Sequence, residues 1–300
     1  MKKILVTGGT VFVSRFTAEY FSRENEVYVL NRNTRPQSDG VHLIEADRHA
    51  LGDMLREYHF DAVIDVCAYN GRDVDDLFDA LGNWSGDYIL ISSSSVYPET
   101  NVQPFTEEQE TGANSVWGKY GTDKLEAEKA ALRRKSDAYI IRPPYLYGQM
   151  QNVYREPFVF ECAMADRPFY IPKDGSMKLQ FFHVEDLCRM IERILEVHPS
   201  SQIFNAGNEE AVDINTFVEL CYKAVGKELK KVNVYNHENQ RDYFSFYEYE
   251  YYLDVTKQTQ LISKTKSLET GLKESFEWYK NHKSDVMRKN YIDFIDENFK

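Results

Sequence analysis

The sequence predicts an α/β protein with a doubly wound parallel sheet and a smaller α+β lobe at its C-terminal end. A strand, a glycine turn and an amphipathic helix follow one another within the first 21 residues. Apolar strands and amphipathic helices then alternate at intervals of about 25 to 35 residues, which is typical of a parallel sheet. After residue 148 the alternation stops and prolines become frequent. We therefore expect a sheet domain over 1–147, with parts of 177–207, and a second lobe mainly over 148–300.

The first strand and the first helix meet at a glycine turn. Ile4, Leu5 and Val6 form the apolar run of a strand buried on both faces, and apolar residues recur at helical spacing from 12 to 21. A helix that starts after such a turn has free backbone N–H groups, which bind the pyrophosphate of a dinucleotide. This pattern predicts dinucleotide contacts at Thr7, Gly8, Gly9, Thr10, Val11 and Phe12.

The remaining elements follow from the same two periodicities, a short apolar run for a strand and apolar residues three or four apart for a helix. Strands are predicted at 26–30, 41–46, 61–66, 88–91, 138–141 and 203–207. Helices are predicted at 50–58, 72–81, 117–134 and 184–197, with a closing helix at 268–279. The segment 243–252 alternates aromatic and acidic residues, which indicates an extended strand with one packed face rather than a stacking platform.

Composition and charge limit the classes of partner. The formal net charge of -12 opposes nucleic acid as the main partner, because phosphate binding needs clustered lysine and arginine. No apolar run is long enough for a membrane span, and the first strand starts too near Met1 for a signal peptide. The four cysteines are scattered and fit reduced thiols rather than a metal site or disulfides. We therefore expect a cytoplasmic protein.

The end of the second predicted strand indicates the type of cofactor. Asn31 and Arg32 lie about twenty residues beyond the glycine turn. An acidic residue there takes the ribose hydroxyls of NAD, whereas an arginine accommodates the additional phosphate of NADP. Because no acid is present, the sequence slightly favours NADP over NAD. The alternative for Arg32 is a solvated loop arginine.

A tyrosine and a lysine four residues apart provide the candidate chemistry. Tyr120 and Lys124 lie on one face of a predicted helix. An ammonium about 4 Å from a phenol stabilises the phenolate by about 1 to 4 kcal/mol, which favours proton transfer near neutral pH. The same spacing recurs at Tyr279 and Lys283, so it is not specific by itself. Only the first pair follows a strand that ends in serines, and a serine there can polarise a substrate oxygen.

Taken together, these motifs resemble the extended short-chain dehydrogenase/reductase family, also called the NAD-dependent epimerase/dehydratase family. The resemblance runs through the glycine turn, the serine-rich strand end, the Tyr120 and Lys124 pair, and the segments 142–148, 182–187, 204–208 and 253–257. It implies a Rossmann domain that binds NAD(P) and a C-terminal lobe that binds a small molecule, commonly a nucleotide-sugar. Family members are often dimers through the helix that carries the tyrosine.

The resemblance also implies roles for individual residues. It places the catalytic serine at Ser93, beside Tyr120 and Lys124, and we expect substrate contacts at Ser94 and Tyr145. Arg241 is a candidate contact for a substrate diphosphate, and the alternative is a surface arginine. Further cofactor contacts are implied at Asp47, Arg48, Cys67, Ala68, Pro143 and Tyr145.

Two departures from the family pattern narrow the function. The family turn reads TGxxGxxG, but Val11 and Ser14 replace its second and third glycines. Ser94 and Ser95 replace the Asp-Glu pair of the dehydratases, which argues against dehydration. The leading hypothesis is an NAD(P)-dependent enzyme that epimerises or reduces a sugar or nucleotide-sugar. The alternative is a non-catalytic dinucleotide binder that contacts RNA, because the turn resembles that of the chloroplast stem-loop-binding subgroup.

Overall fold

The computed structural model describes residues 1–299 and confirms the predicted fold class. Its main sheet contains seven strands: β1 (Lys3–Thr7), β2 (Glu26–Asn31), β3 (Val41–Glu45), β4 (Ala62–Asp65), β5 (Asp87–Ile91), β6 (Tyr139–Arg142) and β11 (Ile203–Asn205). All are parallel, in the order β3-β2-β1-β4-β5-β6-β11. The order reverses between β1 and β4, which is where doubly wound sheets bind ligands at their carboxyl ends.

Helices cover both faces of this sheet. One face packs against α1 (Phe12–Phe21) and α5 (Val184–Val197), and the other against α2 (Gly71–Leu81) and α3 (Lys119–Arg134). The central strands β1, β4, β5 and β6 are therefore buried on both sides, as their continuous apolar runs predict, whereas the edge strand β3 is largely accessible.

The C-terminal lobe has its own core, which is rich in aromatic residues. Its helices are α4 (Glu156–Met164), α6 (Ile214–Val225), α7 (Thr256–Leu261), α8 (Leu268–Asn281) and α9 (Tyr291–Asn298). Its short strands pair as β7 (Tyr145–Tyr147) with β10 (Phe181–His183), β8 (Phe169–Pro172) with β13 (Lys231–Val234), and β9 (Lys178–Leu179) with β12 (Val212–Asp213).

Three sequence predictions are wrong. Residues 50–58 form turns instead of a helix, because Gly52 adopts a positive φ of 53° and interrupts the helical path. The segment 243–252 is irregular and not a strand, and most of its aromatic rings pack into the core of the lobe, whereas Tyr247 is exposed. The predicted closing helix is α8, but α9 follows it and packs Tyr291 against Tyr154 and Phe158.

Candidate active site and cofactor crevice

Two adjoining cavities form a crevice at the carboxyl edge of the sheet. The β2-side cavity, of about 470 Å³, includes Asn31 at the end of β2. The α3-side cavity, of about 440 Å³, includes Lys124 on α3. Val11, Cys67 and Tyr69 line both cavities and therefore mark their junction.

Both glycines of the turn are required, because each has a positive φ and lies too close to a neighbouring side chain for a Cβ. Gly8 and Gly9 have φ values of 89° and 91°, in the region that favours glycine. A Cβ on Gly9 would lie 2.5 Å from Val29 Cγ1, and one on Gly8 would lie 2.8 Å from Ser14 Oγ. Ser14 is small enough for the third-glycine position, where it is buried and donates to the Val11 carbonyl at 2.9 Å. The first N–H groups of α1 have no side-chain cap, so the turn keeps its anion-binding geometry.

A buried charge network supports the turn from below. Asp65 is fully buried and accepts hydrogen bonds from the Thr7 hydroxyl at 2.7 Å and the Tyr88 hydroxyl at 2.8 Å. The Arg48 guanidinium donates to the same carboxylate at 2.5 Å. The Thr7 hydroxyl and Arg48 Nη2 are therefore engaged with the protein, whereas Nε and Nη1 of Arg48, which lines the cavity, have no hydrogen-bond partner in the described chain.

The rim of the β2-side cavity carries unpaired positive charge. Arg32 and Arg35 are exposed, and neither forms an ion pair within residues 1–299. The Asn31 amide donates to the Gly8 carbonyl at 2.7 Å, so it fixes the turn to the end of β2. Asp47 accepts a backbone N–H at the start of a short 3₁₀ turn on the same rim.

Lys124 is almost fully buried and is held by the backbone. Its ammonium donates to the carbonyls of Ala68 at 2.8 Å and Ile91 at 3.0 Å. The ring centroid of Tyr69 lies 5.2 Å from Nζ, within cation–π range. No hydrogen bond joins Lys124 to Tyr120 within the described chain.

Tyr120 and Ser93 face the same cavity with accessible hydroxyls. Tyr120 is 44% exposed, and its hydroxyl makes no hydrogen bond within residues 1–299. Ser93 lines the cavity beside it and accepts the Ser95 N–H at 3.2 Å. The second Tyr-Lys pair has no such setting, because Tyr279 is buried in the C-terminal lobe and Lys283 is exposed.

A second buried ion pair fixes α3 to the sheet. Arg142 at the end of β6 binds Glu128 on α3 through two contacts, at 2.6 and 2.9 Å. The Ser92 hydroxyl donates to Glu128, and Arg142 also donates to the Tyr97 hydroxyl. This network sets the position of the helix that carries Tyr120 relative to the strand that ends at the serines.

The structure brings most of the predicted cofactor residues to the crevice. Those that line a cavity are Thr7, Gly8, Thr10, Val11, Phe12, Asn31, Arg32, Asp47, Arg48, Cys67, Tyr120, Lys124 and Pro143. Gly9 packs against Val29, and Ala68 contributes the carbonyl that holds Lys124.

Two predicted substrate contacts point away from the cavity. Tyr145 is 5% exposed because alternation along β7 turns it into the aromatic core, while Leu146 lines the cavity instead. Ser94 is also buried, and its hydroxyl donates to the Tyr251 hydroxyl at 3.2 Å. Ser94 and Tyr145 are therefore not placed to contact a ligand in this crevice, contrary to the sequence-based expectation.

Arg241, a predicted substrate contact, lines neither cavity but lies in a cationic cluster with Lys289 and with Arg155, which lines the α3-side cavity. Its guanidinium stacks on Tyr247 at 4.5 Å, and that of Arg155, which lines the cavity, stacks on Tyr145 at 5.0 Å. The pKa of Lys289 is lowered, mainly by burial and to a smaller extent by the charges of Arg241 and Arg155. None of the three cations forms an ion pair within the described chain.

Sequence analysis missed several residues of the crevice wall: Tyr69, Asn152, Val153, Arg155 and Met287. Met287 reaches the cavity because its N–H donates to the Asn152 carbonyl at 2.8 Å. This contact joins segments more than 130 positions apart, so no local pattern predicts it. Tyr69 lies four residues after the end of β4, next to the predicted Cys67 and Ala68, and this position in the loop at the carboxyl edge is the signal that could have found it.

One cluster outside the crevice has side chains suited to a metal: His183, Glu185 and Glu274. The Lys266 ammonium binds both carboxylates and compensates their charge. His183 is fully buried, and its Nδ1 accepts the Glu185 N–H at the start of α5. Burial and the nearby Lys266 lower the pKa of His183 to about 3, so the ring is neutral and serves the fold.

Comparison with known proteins gives a consistent assignment. The family model described as "NAD dependent epimerase/dehydratase family" matches residues 4–207. The chloroplast stem-loop binding protein of 41 kDa b from Arabidopsis thaliana is 26% identical over 87% of this chain and 74% of that protein. A dTDP-4-dehydro-6-deoxy-D-allose reductase from Streptomyces bikiniensis is 24% identical over 94% of this chain and 97% of its own length.

The fold matches solved structures at low sequence identity. UDP-glucuronic acid 4-epimerase from Bacillus cereus, solved with UDP-glucuronic acid and NAD, superposes with a TM-score of 0.74. The two chains are 20% identical, and the match covers 93% of this chain and 99% of that one. In residues 1–299, no helix is both long and apolar enough to cross a membrane.

Proposed function

The chain belongs to the NAD-dependent epimerase/dehydratase family, and we propose that it is an NAD(P)-dependent enzyme that epimerises, oxidises or reduces a hydroxyl-bearing carbon of a sugar or nucleotide-sugar. The observation that carries this proposal is the convergence of Ser93, Tyr120 and Lys124 on one cavity next to the glycine turn. The turn fits a dinucleotide, because its two glycines leave no room for a Cβ and the start of α1 has free N–H groups.

In this proposal, the two halves of the cofactor bind in different cavities of the crevice. The β2-side cavity would hold the adenosine half on Asn31, Arg32 and Asp47, and the α3-side cavity would hold the nicotinamide half beside Pro143. When bound, the dinucleotide supplies hydride transfer to and from the substrate carbon. Arg32 and Arg35, exposed and unpaired, favour NADP through its additional phosphate.

Side chains of the α3-side cavity would transfer the proton to and from the reacting oxygen of the substrate. Ser93 donates to the substrate oxygen and polarises it, and Tyr120 exchanges the proton of that oxygen. Lys124 supplies positive charge close to the phenol, held in place by the Ala68 and Ile91 carbonyls. Dehydration is not part of the proposal, because Ser94 is buried and no acid follows Ser93.

The cationic cluster supports a charged substrate. Arg155, Arg241 and Lys289 place three unpaired positive charges near one end of the cavity in a chain whose net charge is -12. The B. cereus epimerase was solved with a nucleotide-sugar. A diphosphate would neutralise the cluster, with charge-assisted hydrogen bonds from the arginines.

The test combines cofactor binding with turnover. Purified protein is titrated with NADPH and NADH by fluorescence, and then assayed with UDP- and dTDP-linked sugars. Tyr120→Phe should lower turnover by about 10²- to 10⁴-fold without changing stability, because its hydroxyl is accessible and unbonded. Tyr235→Phe, at a tyrosine that is 67% exposed and outside the crevice, is the matched control. Unchanged turnover in Tyr120→Phe would reject the catalytic assignment.

A second candidate function is a non-catalytic dinucleotide binder that contacts RNA. The similarity to the stem-loop binding protein and the valine at position 11 favour it. A salt-sensitive gel shift with structured RNA at micromolar protein, together with no turnover of any sugar substrate, would select this candidate over the enzyme.

A further inference from the structure

Tyr69 occupies the junction between the two cavities. It lines both of them and is 56% exposed. Its backbone is fixed, because its N–H donates to the Asp73 carboxylate at 2.7 Å. Its hydroxyl makes no hydrogen bond within residues 1–299. The ring is therefore free to change rotamer without breaking a polar contact.

The ring of Tyr69 lies against the ammonium that a bound ribose would use in the proposed function. Two of the three N–H donors of Lys124 are taken by the Ala68 and Ile91 carbonyls. One donor remains, and the centroid of the Tyr69 ring lies 5.2 Å from the same nitrogen. Tyr69 and Lys124 both line the α3-side cavity, so a ligand oxygen that reaches Lys124 there shares the space beside the ammonium with this ring.

We propose that Tyr69 is a specificity-determining residue that discriminates intact dinucleotides from their adenosine fragments. Its ring competes with the nicotinamide ribose for the Lys124 ammonium and must rotate away before the whole dinucleotide can bind. An adenosine fragment in the β2-side cavity can contact the edge of Tyr69 but does not reach Lys124, which lines only the α3-side cavity, so it does not require this movement. The inference rests on the proposed function, since it needs a dinucleotide in the crevice.

The size of the effect follows from the contact that is lost. The Lys124 ammonium is almost fully buried whereas the Tyr69 ring is half-exposed, so the cation–π contact is worth about 0.5 to 2 kcal/mol, a factor of roughly two to thirty in affinity. Tyr69→Ala should therefore bind NADPH roughly two to thirty times more tightly than the wild type. Tyr69→Phe keeps the ring and should bind like the wild type.

The experiment measures four affinities by calorimetry for each variant: NADPH and NADH as intact dinucleotides, and 2′,5′-ADP and 5′-AMP as their adenosine fragments. Tyr69→Ala should tighten the intact dinucleotides and leave the fragments unchanged. Tyr235→Ala, which removes an exposed ring outside the crevice, controls for general effects. A melting temperature within a few degrees of wild type confirms that each variant is folded, and Tyr69→Leu replaces any that is not.

Three results would overturn the inference. Weaker dinucleotide binding in Tyr69→Ala would make the ring a binding contact rather than a competitor. Equal changes for dinucleotides and fragments would remove the discrimination. Unchanged dinucleotide binding in Tyr69→Ala would reject the role of Tyr69 while leaving the proposed function intact. If no form of the protein binds a dinucleotide, the proposed function itself fails.

Discussion

The two sides of the crevice differ in their buried carboxyl groups: Asp65 forms an ion pair with Arg48, whereas one oxygen of Glu156 has no hydrogen-bond partner in the described chain. Below the β2-side cavity, burial alone would raise the pKa of Asp65, but the charge and hydrogen bonds of Arg48, with those of Thr7 and Tyr88, hold it below its usual range. On the other side, burial raises the pKa of Glu156, the chain neighbour of the cavity residue Arg155, to about 7, and its Oε2 has no hydrogen-bond partner in the described chain. One side is fixed by a paired charge, and the other carries a group that titrates near neutral pH.

The largest expected effect comes from breaking the paired side. Arg48→Met leaves the Asp65 carboxylate buried beside Thr7 and Tyr88 only, and should cost about 3 to 5 kcal/mol of unfolding free energy at pH 7. Chemical denaturation measures this loss. Arg32→Met, on the exposed rim of the same cavity, is the control and should change stability little. A loss below about 1 kcal/mol in Arg48→Met would contradict the importance of the pair.

The pH dependence of that loss follows from the lowered pKa of Asp65. In the wild type, Asp65 contributes stability above its unfolded pKa, and this contribution is lost as pH falls through the lower folded pKa. Without Arg48, burial raises the pKa of Asp65. The buried carboxyl is then neutral at low pH, and keeping it buried lowers the stability of the folded state only as the pH rises. The difference between wild type and Arg48→Met should therefore be large at pH 7 and shrink towards pH 4.

The next effect concerns the unpaired carboxyl. Because its folded pKa of about 7 lies above the unfolded 4.5, Glu156 contributes most stability below pH 4.5 and loses it as pH rises through 7. Glu156→Gln removes this titration. It should be more stable than the wild type by up to about 3 kcal/mol at pH 8, with the advantage shrinking towards pH 5. Denaturation curves across this range test it, and a pH-independent difference would contradict it.

The smallest effect is expected at the junction of the two sides. Val11 has an extended backbone, with φ of -138°, so glycine fits there without strain. Val11→Gly removes the side chain from the second-glycine position and lets the backbone approach a pyrophosphate. Dinucleotide affinity should rise roughly fivefold, at a stability cost of about 0.5 to 1 kcal/mol. Unchanged or weaker dinucleotide binding would show that the valine does not hinder the pyrophosphate.

The sheet domain and the C-terminal lobe differ in how much of their structure the sequence predicts. Strands β1, β4, β5 and β6 are short apolar runs buried on both faces, and β2 and the edge strand β3 keep an apolar pattern, so local pattern is enough to find them. The glycine turn and the Tyr120 and Lys124 pair are local motifs as well, and the structure places both at the crevice.

The C-terminal lobe depends on contacts that local pattern does not encode. Strand β8 pairs with β13 about sixty residues away, and the aromatic residues of 243–252 pack as an irregular segment instead of forming a strand. Tyr145 shows the same limit within the site. Its motif at 142–148 is visible in the sequence, but whether the Tyr145 ring faces the cavity or the core depends on aromatic partners such as Phe246, which lies about a hundred residues away.

The pairing of Met287 with Asn152 has a consequence for the order in which the protein forms during synthesis. Phe12 and Met287 line the same cavity, although almost the whole chain separates them. The β2-side cavity needs only residues up to Asp73, so a growing chain can complete it early. The wall facing the candidate catalytic groups is finished only when Met287 has left the ribosome, and a chain that stops short of this residue lacks that part of the wall.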